Sequence, residues 1–153
     1  MAKRTDNSIV INAPLERVWD ITNDVENWPN LFTEYAKAEI LSREGNTVRF
    51  RLTMHPDPKG NKWNWVSERT TYPETRTVKA HRIEKGWFKF MHIEWYYEPV
   101  EGGTKMRWVQ EFEMDPAISP VTDDQMENNI NNNTKTQMSI IKQRVEQRVG
   151  QGS

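Results

Sequence analysis

The chain has 153 residues, enough for one domain with a substantial core, and its 21 basic and 22 acidic residues leave a net charge of −1. This balance excludes bulk electrostatic attraction to nucleic acid or to an anionic membrane. The absence of cysteine excludes disulfides and thiolate metal sites, and no segment resembles a signal peptide or a transmembrane helix, so we expect a cytoplasmic protein.

The predicted elements begin with a short strand at residues 7–12, followed by a helix that Pro14 opens. Asp24 can cap a second short helix, but Pro29 interrupts it, which indicates either two small helices or a helix and a loop. Alternating apolar and polar residues then predict six antiparallel strands separated by turn signals. These strands are predicted at residues 36–43, 47–55, 62–72, 75–84, 87–99 and 104–114.

A long amphipathic helix is predicted over residues 122–149, and residues 150–153 are expected to fray. The stripe that it should bury contains amides and a hydroxyl, and the Asn-rich tract at 128–133 has low helix propensity. This element order predicts a single α+β domain over residues 1–153, in which a curved seven-stranded antiparallel sheet wraps around the last helix. A cavity between the sheet and this helix is a natural ligand site.

The predicted strand at residues 62–72 carries unusual side chains on one face. Its two-residue period places Trp63, Trp65, Ser67 and Arg69 side by side. Two interpretations are open: the wall of a cavity for a flat, oxygen-rich molecule, or an ordinary core face from which Arg69 extends to water. In the first case the guanidinium needs a ligand, an acid, water or a carbonyl as its partner, because burying it alone is very costly.

The other strands add polar residues to an apolar inner face. Arg82 and Gln110 stand there among apolar neighbours, and Arg82 poses the same question of a partner as Arg69. The positions predicted to face inward are Phe50, Leu52, Met54, Val78, Ala80, Arg82, Met91, Ile93, Trp95, Tyr97, Met106, Trp108, Gln110, Phe112 and Met114.

Residues 28–35 form a segment with two aromatic anchors, Trp28 and Phe32, and the phenol of Tyr35. It is interpreted either as a lid over the mouth of the cavity or as a surface loop that the aromatic side chains hold in place.

Common catalytic patterns are missing from the sequence. His55, His81 and His92 fall at unrelated positions, so no metal site is expected. No nucleophile elbow, zinc-protease motif or phosphate-binding loop is present, and Glu68 and Glu111 alternate outward, where they are better explained as a solvated face.

Three motifs, WPNLFTEY, WNWVSER and MRWVQEF, stand in the order and spacing of a known family. Together with RTDNSIVINAP and TRTVKAHRIE, they make residues 4–145 resemble the single-domain aromatase/cyclases of bacterial type II polyketide synthases, close to the tetracenomycin and spore-pigment members. The resemblance implies the helix-grip fold of the START/Bet v 1 type, which agrees with the element order.

By resemblance, the substrate is a linear poly-β-ketone held on an acyl carrier protein through a phosphopantetheine arm. The implied reaction is a regiospecific aldol closure of the first ring, C9 to C14 and often also C7 to C16, with dehydration to an aromatic ring. It implies the minimal polyketide synthase as partner and no cofactor or metal.

The resemblance also assigns residues. Arg69 matches the arginine regarded as central to cyclisation, Tyr35 matches its phenolic partner, and an amide of the last helix, best matched by Gln137, lines the pocket. The other expected substrate-binding residues are Trp28, Phe32, Trp63, Trp65, Ser67, Arg82, Met91, Trp95, Trp108 and Gln110.

These assignments are chemically consistent. Arginine stays protonated, so Arg69 suits an electrophile that holds a ketone oxygen as it becomes an alkoxide, and Tyr35 suits a proton donor to that oxygen. Enolate formation is left to water or to the substrate itself. The alternative function is a non-catalytic START-type carrier of a hydrophobic or aromatic ligand, which has little use for this set of polar groups.

Overall fold

The computed structural model describes residues 2–151, with one long helix lying against a seven-stranded sheet. The strands are β1 (Lys3–Ile11), β2 (Tyr35–Glu44), β3 (Thr47–Met54), β4 (Asn64–Tyr72), β5 (Thr77–Arg82), β6 (Phe88–Val100) and β7 (Gly103–Met114). The helices are α1 (Leu15–Thr22), a 3₁₀ turn (Val25–Asn27), α2 (Trp28–Leu31) and α3 (Asp123–Gln151).

All neighbouring strands pair antiparallel, in the order β1-β7-β6-β5-β4-β3-β2. Apart from the chain's first strand, which pairs with its last, each strand therefore lies beside its sequence neighbour. The predicted curved sheet with a long C-terminal helix is confirmed. No helix among residues 2–151 is long and apolar enough to span a membrane.

Several element bounds differ from the prediction. The first strand begins at Lys3, because it pairs with β7 along its whole length as far as Phe112. The segment after Asp24 forms two short helical pieces, but the Asp24 side chain makes no capping hydrogen bond, so its predicted capping role is wrong. Helix α3 continues through Gly150 and Gln151, so these two residues do not fray; residues 152–153 lie outside the described part of the chain.

Strand β4 begins at Asn64 rather than at residue 62. The preceding loop is closed by Asp57, whose carboxylate accepts hydrogen bonds from the backbone N–H groups of Lys59 and Asn61 and from the indole Nε1 of Trp63. These bonds hold residues 57–63 as a turn, so the alternation of strand faces starts only after Trp63.

Helix α3 packs unevenly along its length. None of the residues 123–133 is buried, whereas Thr134, Met138, Ile141 and Val145 are buried against the rest of the fold. Burial of each large apolar side chain contributes roughly 1.5–3 kcal/mol, so the C-terminal half anchors the helix. In the N-terminal half, Met126 and Ile130 are partly buried against Met91, Phe112 and Met114.

Candidate active site

A cavity of about 370 Å³ lies between the inner face of the sheet, α2 and the N-terminal half of α3. This volume is within the usual range for small-molecule sites. Its wall is largely aromatic, with polar groups at a few positions, and most of the predicted site residues line it. The predicted residues on this wall are Trp28, Phe32, Tyr35, Trp65, Ser67, Arg69, Arg82, Met91, Trp95, Trp108 and Gln110.

Trp63 was predicted on this wall and is not part of it. Its side chain is 45% exposed, donates to Asp57 Oδ2 at 3.0 Å, and packs edge-on against Trp87 with ring centroids 5.2 Å apart. The reason is that Trp63 precedes β4 and does not share the strand's alternation.

Gln137 was predicted as the amide on the pocket wall, and that prediction is also wrong. Its Oε1 accepts from the backbone N–H of Thr33 at 3.1 Å, and its Nε2 donates to Thr33 Oγ1 at 2.9 Å. Gln137 therefore ties α3 to the segment before β2. The amides that α3 contributes to the wall are Asn133 and Asn129, one and two turns nearer to the helix N-terminus.

The segment of residues 28–35 is a fixed wall of the cavity rather than a surface loop. Trp28 and Phe32 are 5% and 1% exposed, and both line the cavity. Arg144 on α3 donates to the backbone carbonyls of Asn30 and Phe32 at 3.0 and 3.3 Å. Helix α3 thus fixes this segment at several points.

Arg69 is buried in the floor of the cavity, with 3% exposure. Strand β4 places it opposite Ala80, and its guanidinium lies over the rings of Trp28 and Trp95, 5.1 and 4.2 Å from their centroids. Nη2 donates to Asn23 Oδ1 at 2.5 Å, while Nε has no hydrogen-bond partner within residues 2–151.

Burial lowers the pKa of Arg69 to about 10, partly offset by the nearby phenol of Tyr97. The guanidinium therefore stays protonated at neutral pH. The indole faces stabilise its charge, and no carboxylate neutralises it among its described hydrogen bonds and ion pairs. Such a cation can still attract a negative charge that develops on a ligand.

Arg82 is a second cation on the cavity wall and lies on β5, the strand next to the one that carries Arg69. It lies over Trp65 at 4.7 Å and Phe88 at 5.2 Å, and its Nε donates to the carbonyl of Glu84 at 3.1 Å. Burial lowers its pKa to about 10 as well. Since Arg82 pairs in register with Ser67, the two polar side chains stand on adjacent strands.

Tyr35 stands at the start of β2 within a cluster of aromatic rings. Its ring stacks on Trp28, with centroids 6.1 Å apart, and contacts Phe32 at 5.1 Å. Burial raises the pKa of Tyr35 well above its ordinary value, and the neighbouring Glu34 carboxylate raises it further. The phenol is therefore protonated at any physiological pH.

Glu34 also lines the cavity, although no sequence pattern predicts a role for it. Asn133 Nδ2 donates to its Oε2 at 3.0 Å. Burial raises the pKa of Glu34, while the bonds from Asn133 and Tyr35 oppose that shift. The available signals were its position beside Tyr35 and the polar stripe of the last helix, which could supply an amide partner.

Asn23, which holds Arg69, was missed for a different reason. It follows α1 at a helix end, and no periodic pattern indicates which way its side chain points.

Within residues 2–151, no group of three or more His, Asp or Glu side chains is arranged to hold a metal ion.

Solved structures with the same architecture define the class of fold. The chain matches the Zhui aromatase/cyclase from Streptomyces sp. R1128 with a TM-score of 0.80 at 18% identity, covering 98% of this chain and 94% of that one. A START superfamily protein from Mycobacterium smegmatis matches with a TM-score of 0.73 at 16% identity, covering 98% and 99%. The protein therefore has the helix-grip fold of the START/Bet v 1 type, as predicted.

Sequence comparison then gives the family. The family model for "Polyketide cyclase / dehydrase and lipid transport" matches residues 11–132. A protein from Streptomyces cyaneus with the name "Putative polyketide cyclase" is 53% identical over 147 residues, which cover 96% of each chain. The chain belongs to the polyketide cyclase / dehydrase and lipid transport family, and the prediction of an enzyme of the polyketide cyclase class is confirmed.

Proposed function

We propose that this protein is an aromatase/cyclase that binds a linear poly-β-ketone in the cavity, closes its first ring by an intramolecular aldol reaction and dehydrates the product. The observation that carries the proposal is the pair formed by Arg69 and Tyr35. Both side chains lie against Trp28 in one aromatic cavity, and at neutral pH one is a cation and the other a protonated phenol.

Shape contributes a large part of the catalysis. Methylenes between two ketones are already acidic, so the difficult step is to bring one carbon to one carbonyl among several similar ones. A cavity that folds the chain supplies this proximity, which can lower a barrier by several kcal/mol. The rigid wall of Trp28, Trp65, Trp95 and Trp108 suits that task, because aromatic side chains lose little conformational freedom on binding.

Arg69 acts on the acceptor carbonyl. As the new carbon–carbon bond forms, the carbonyl π electrons move to oxygen, and the guanidinium stabilises the resulting alkoxide. In a cavity with little water this attraction is stronger than in bulk solvent. Because Asn23 and the two indoles hold the guanidinium before the reaction, little reorganisation is needed.

Tyr35 then donates its proton to the alkoxide. Its high pKa makes it a weak acid in the ground state, so it gives up the proton only to a strongly basic oxygen, as the alkoxide is. The phenol thus discriminates between the ketone and the alkoxide formed from it.

The natural form of the substrate is part of the proposal. We propose a chain tethered to an acyl carrier protein by phosphopantetheine, with closure between C9 and C14 and a second closure between C7 and C16, without a cofactor. The resemblance of WNWVSER and MRWVQEF to the tetracenomycin and spore-pigment group supports this regiochemistry. Asn129 and Asn133 line the cavity and are also exposed to solvent, which supports entry of a polar arm past them.

A reconstituted minimal ketosynthase and carrier protein, with and without this chain, tests the proposal. We expect the chain to redirect products from a mixture of spontaneous shunt products to one aromatic product. The Arg69→Ala variant should fold and return the mixture. If the products are the same with and without the chain, it is not a cyclase for that substrate, and a ligand carrier would be the better explanation.

A further inference from the structure

The aldol reaction begins with removal of a proton from carbon, and neither Arg69 nor Tyr35 can take it. A protonated guanidinium has no acceptor, and a phenol with a raised pKa is not a base at neutral pH. The base must be another side chain, water or the substrate. Among the described residues that line the cavity, Glu34 is the only carboxylate.

Glu34 is held in a defined orientation. Its Oε2 accepts a hydrogen bond from Asn133 Nδ2 at 3.0 Å, and its backbone carbonyl accepts one from the N–H of His55 at 3.2 Å. The preceding residue, Thr33, is fixed by both ends of the Gln137 amide. Side chain and backbone are thus bound to α3 and to the end of β3, which limits the positions that the carboxylate can reach.

The surroundings of Glu34 suit a base. Removal from water favours its protonated form, and therefore strengthens it as a proton acceptor relative to an exposed glutamate. The two cavity arginines do not neutralise it, since Arg82 donates to a backbone carbonyl and Arg69 donates to Asn23. The hydrogen bonds from the Asn133 amide and the Tyr35 phenol, both neutral donors, leave further lone pairs on the carboxylate.

We propose that Glu34 is the general base of ring closure and that it works as a pair with Tyr35. This assignment rests on the proposed function, because it names the group that starts the same reaction. Glu34 lies within the cavity wall and touches the substrate there, so it is a catalytic residue in this scheme.

Over the whole reaction, Glu34 and Tyr35 together neither gain nor lose a proton. The Glu34 carboxylate takes a proton from the methylene, and the C–H electron pair becomes the enolate. The enolate carbon attacks the acceptor carbonyl, whose π electrons move to oxygen, and Tyr35 gives that oxygen its phenolic proton. Protonated Glu34 then returns its proton to the Tyr35 phenolate. Both residues regain their starting state, and the proton lost from carbon is replaced by one on the new hydroxyl.

Proton removal can be measured apart from ring closure. A 3-oxooctanoyl pantetheine thioester has one acidic methylene and is too short to form the aromatic ring. In D₂O, its exchange of hydrogen for deuterium can be followed by proton NMR with and without the protein. We expect the wild type to accelerate exchange and Glu34→Gln to lose about 10²–10⁴-fold of that acceleration.

Two further variants control for indirect effects. Glu34→Asp keeps the carboxylate on a shorter arm and should recover part of the exchange rate, which loss of folding or of a neutral hydrogen bond would not explain. Glu127→Gln removes a carboxylate of α3 that lies near Lys3, at 3.9 Å, and outside the cavity wall, so it should exchange like the wild type. Thermal unfolding of each variant verifies that it is folded.

The outcomes separate this assignment from the proposed function. Equal exchange by the wild type and by folded Glu34→Gln would overturn the role of Glu34, whether or not ring closure changes. A wild type that redirects polyketide products but does not accelerate exchange would also overturn it and leave the cyclase function intact. Only unaltered products in the reconstituted system would count against the cyclase function itself.

Discussion

The variant Arg69→Met tests whether the buried arginine serves the reaction rather than the fold. Methionine keeps an unbranched apolar side chain and removes the charge and the donors. Burial lowers the pKa of Arg69 to about 10 from an ordinary value above 12, which at about 1.4 kcal/mol per pKa unit corresponds to roughly 3 kcal/mol against the charged form. The substitution relieves this cost.

Two losses oppose that gain. The contacts with the faces of Trp28 and Trp95 are together worth about 2 kcal/mol or more when they are shielded from water. The Oδ1 atom of Asn23 loses its donor, at a cost of about 1–3 kcal/mol. The changes nearly cancel, so we expect the free energy of unfolding to stay within about 2 kcal/mol of the wild type, where 1 kcal/mol corresponds to about 2–4 °C in Tm.

Activity should change far more. Loss of one preorganised donor to a developing oxyanion typically lowers the rate by about 10²–10³-fold, which is about 2.7–4 kcal/mol. The assay is urea denaturation together with product analysis in the reconstituted synthase. A matched control is Arg76→Met, because Arg76 also lies over an indole, Trp19 at 5.4 Å, but pairs with Glu16 outside the cavity.

The reasoning would be refuted by the opposite pattern. An Arg69→Met protein that loses clearly more than about 2 kcal/mol of unfolding free energy and that still forms the wild-type product would make the arginine a structural residue. Equal losses of activity in Arg69→Met and Arg76→Met would show that removing a cation from any indole disturbs the site.

Three further predictions concern the wall that carries the phenol. Tyr35→Phe should bind a product analogue as the wild type does, measured by quenching of tryptophan fluorescence, and should close the ring about 10²–10⁴-fold more slowly; an unchanged rate would remove the phenol from the mechanism. Gln137→Leu removes the acceptor of the Thr33 N–H, and because Thr33 is exposed and water can replace that acceptor, the loss in urea denaturation should be about 0.5–1.5 kcal/mol, with faster amide exchange at Thr33; unaltered exchange would contradict the anchoring role. Burial raises the pKa of Glu34 in the folded protein above its value in the unfolded chain. The charged carboxylate therefore destabilises the folded wild type at pH values above both pKa values, and this destabilisation is absent at pH values below both. Glu34→Gln should therefore have the higher Tm at pH 8, and this difference should shrink to nothing as the pH falls towards 4.

The sequence predicts the sheet side of the site well, because strand alternation is a local rule. Once β4 begins, Trp65, Ser67 and Arg69 must face the same way, and the structure places all three on the cavity wall. The prediction for Trp63 fails because the side chain of Asp57 holds the preceding turn, so β4 begins two residues later than the pattern suggested. The end of an alternating pattern is where a nearby hydrogen-bonding side chain can override it.

The helix side is harder to predict. A helical stripe shows which face of α3 turns inward, but not how far along its axis the cavity extends, so the pattern does not distinguish Gln137 from Asn133. Glu34 lies between α2 and β2, where neither period applies, and its role depends on packing between elements that are 99 residues apart in the chain. Tertiary contacts of this kind leave little trace in one sequence.

The uneven burial of α3 has a consequence for how a bulky guest enters. The C-terminal half carries Met138, Ile141 and Val145 in the core, so moving it would expose the core to water. Residues 123–133 bury less: Met126 and Ile130 are only partly buried against Met91, Phe112 and Met114, and the asparagines have low helix propensity, so opening these turns costs less free energy than opening the C-terminal half. For a guest that enters past α3, we expect the N-terminal turns to open, with loss of the hydrogen bond from Asn133 to Glu34, while Gln137 and Arg144 keep the segment before β2 in place.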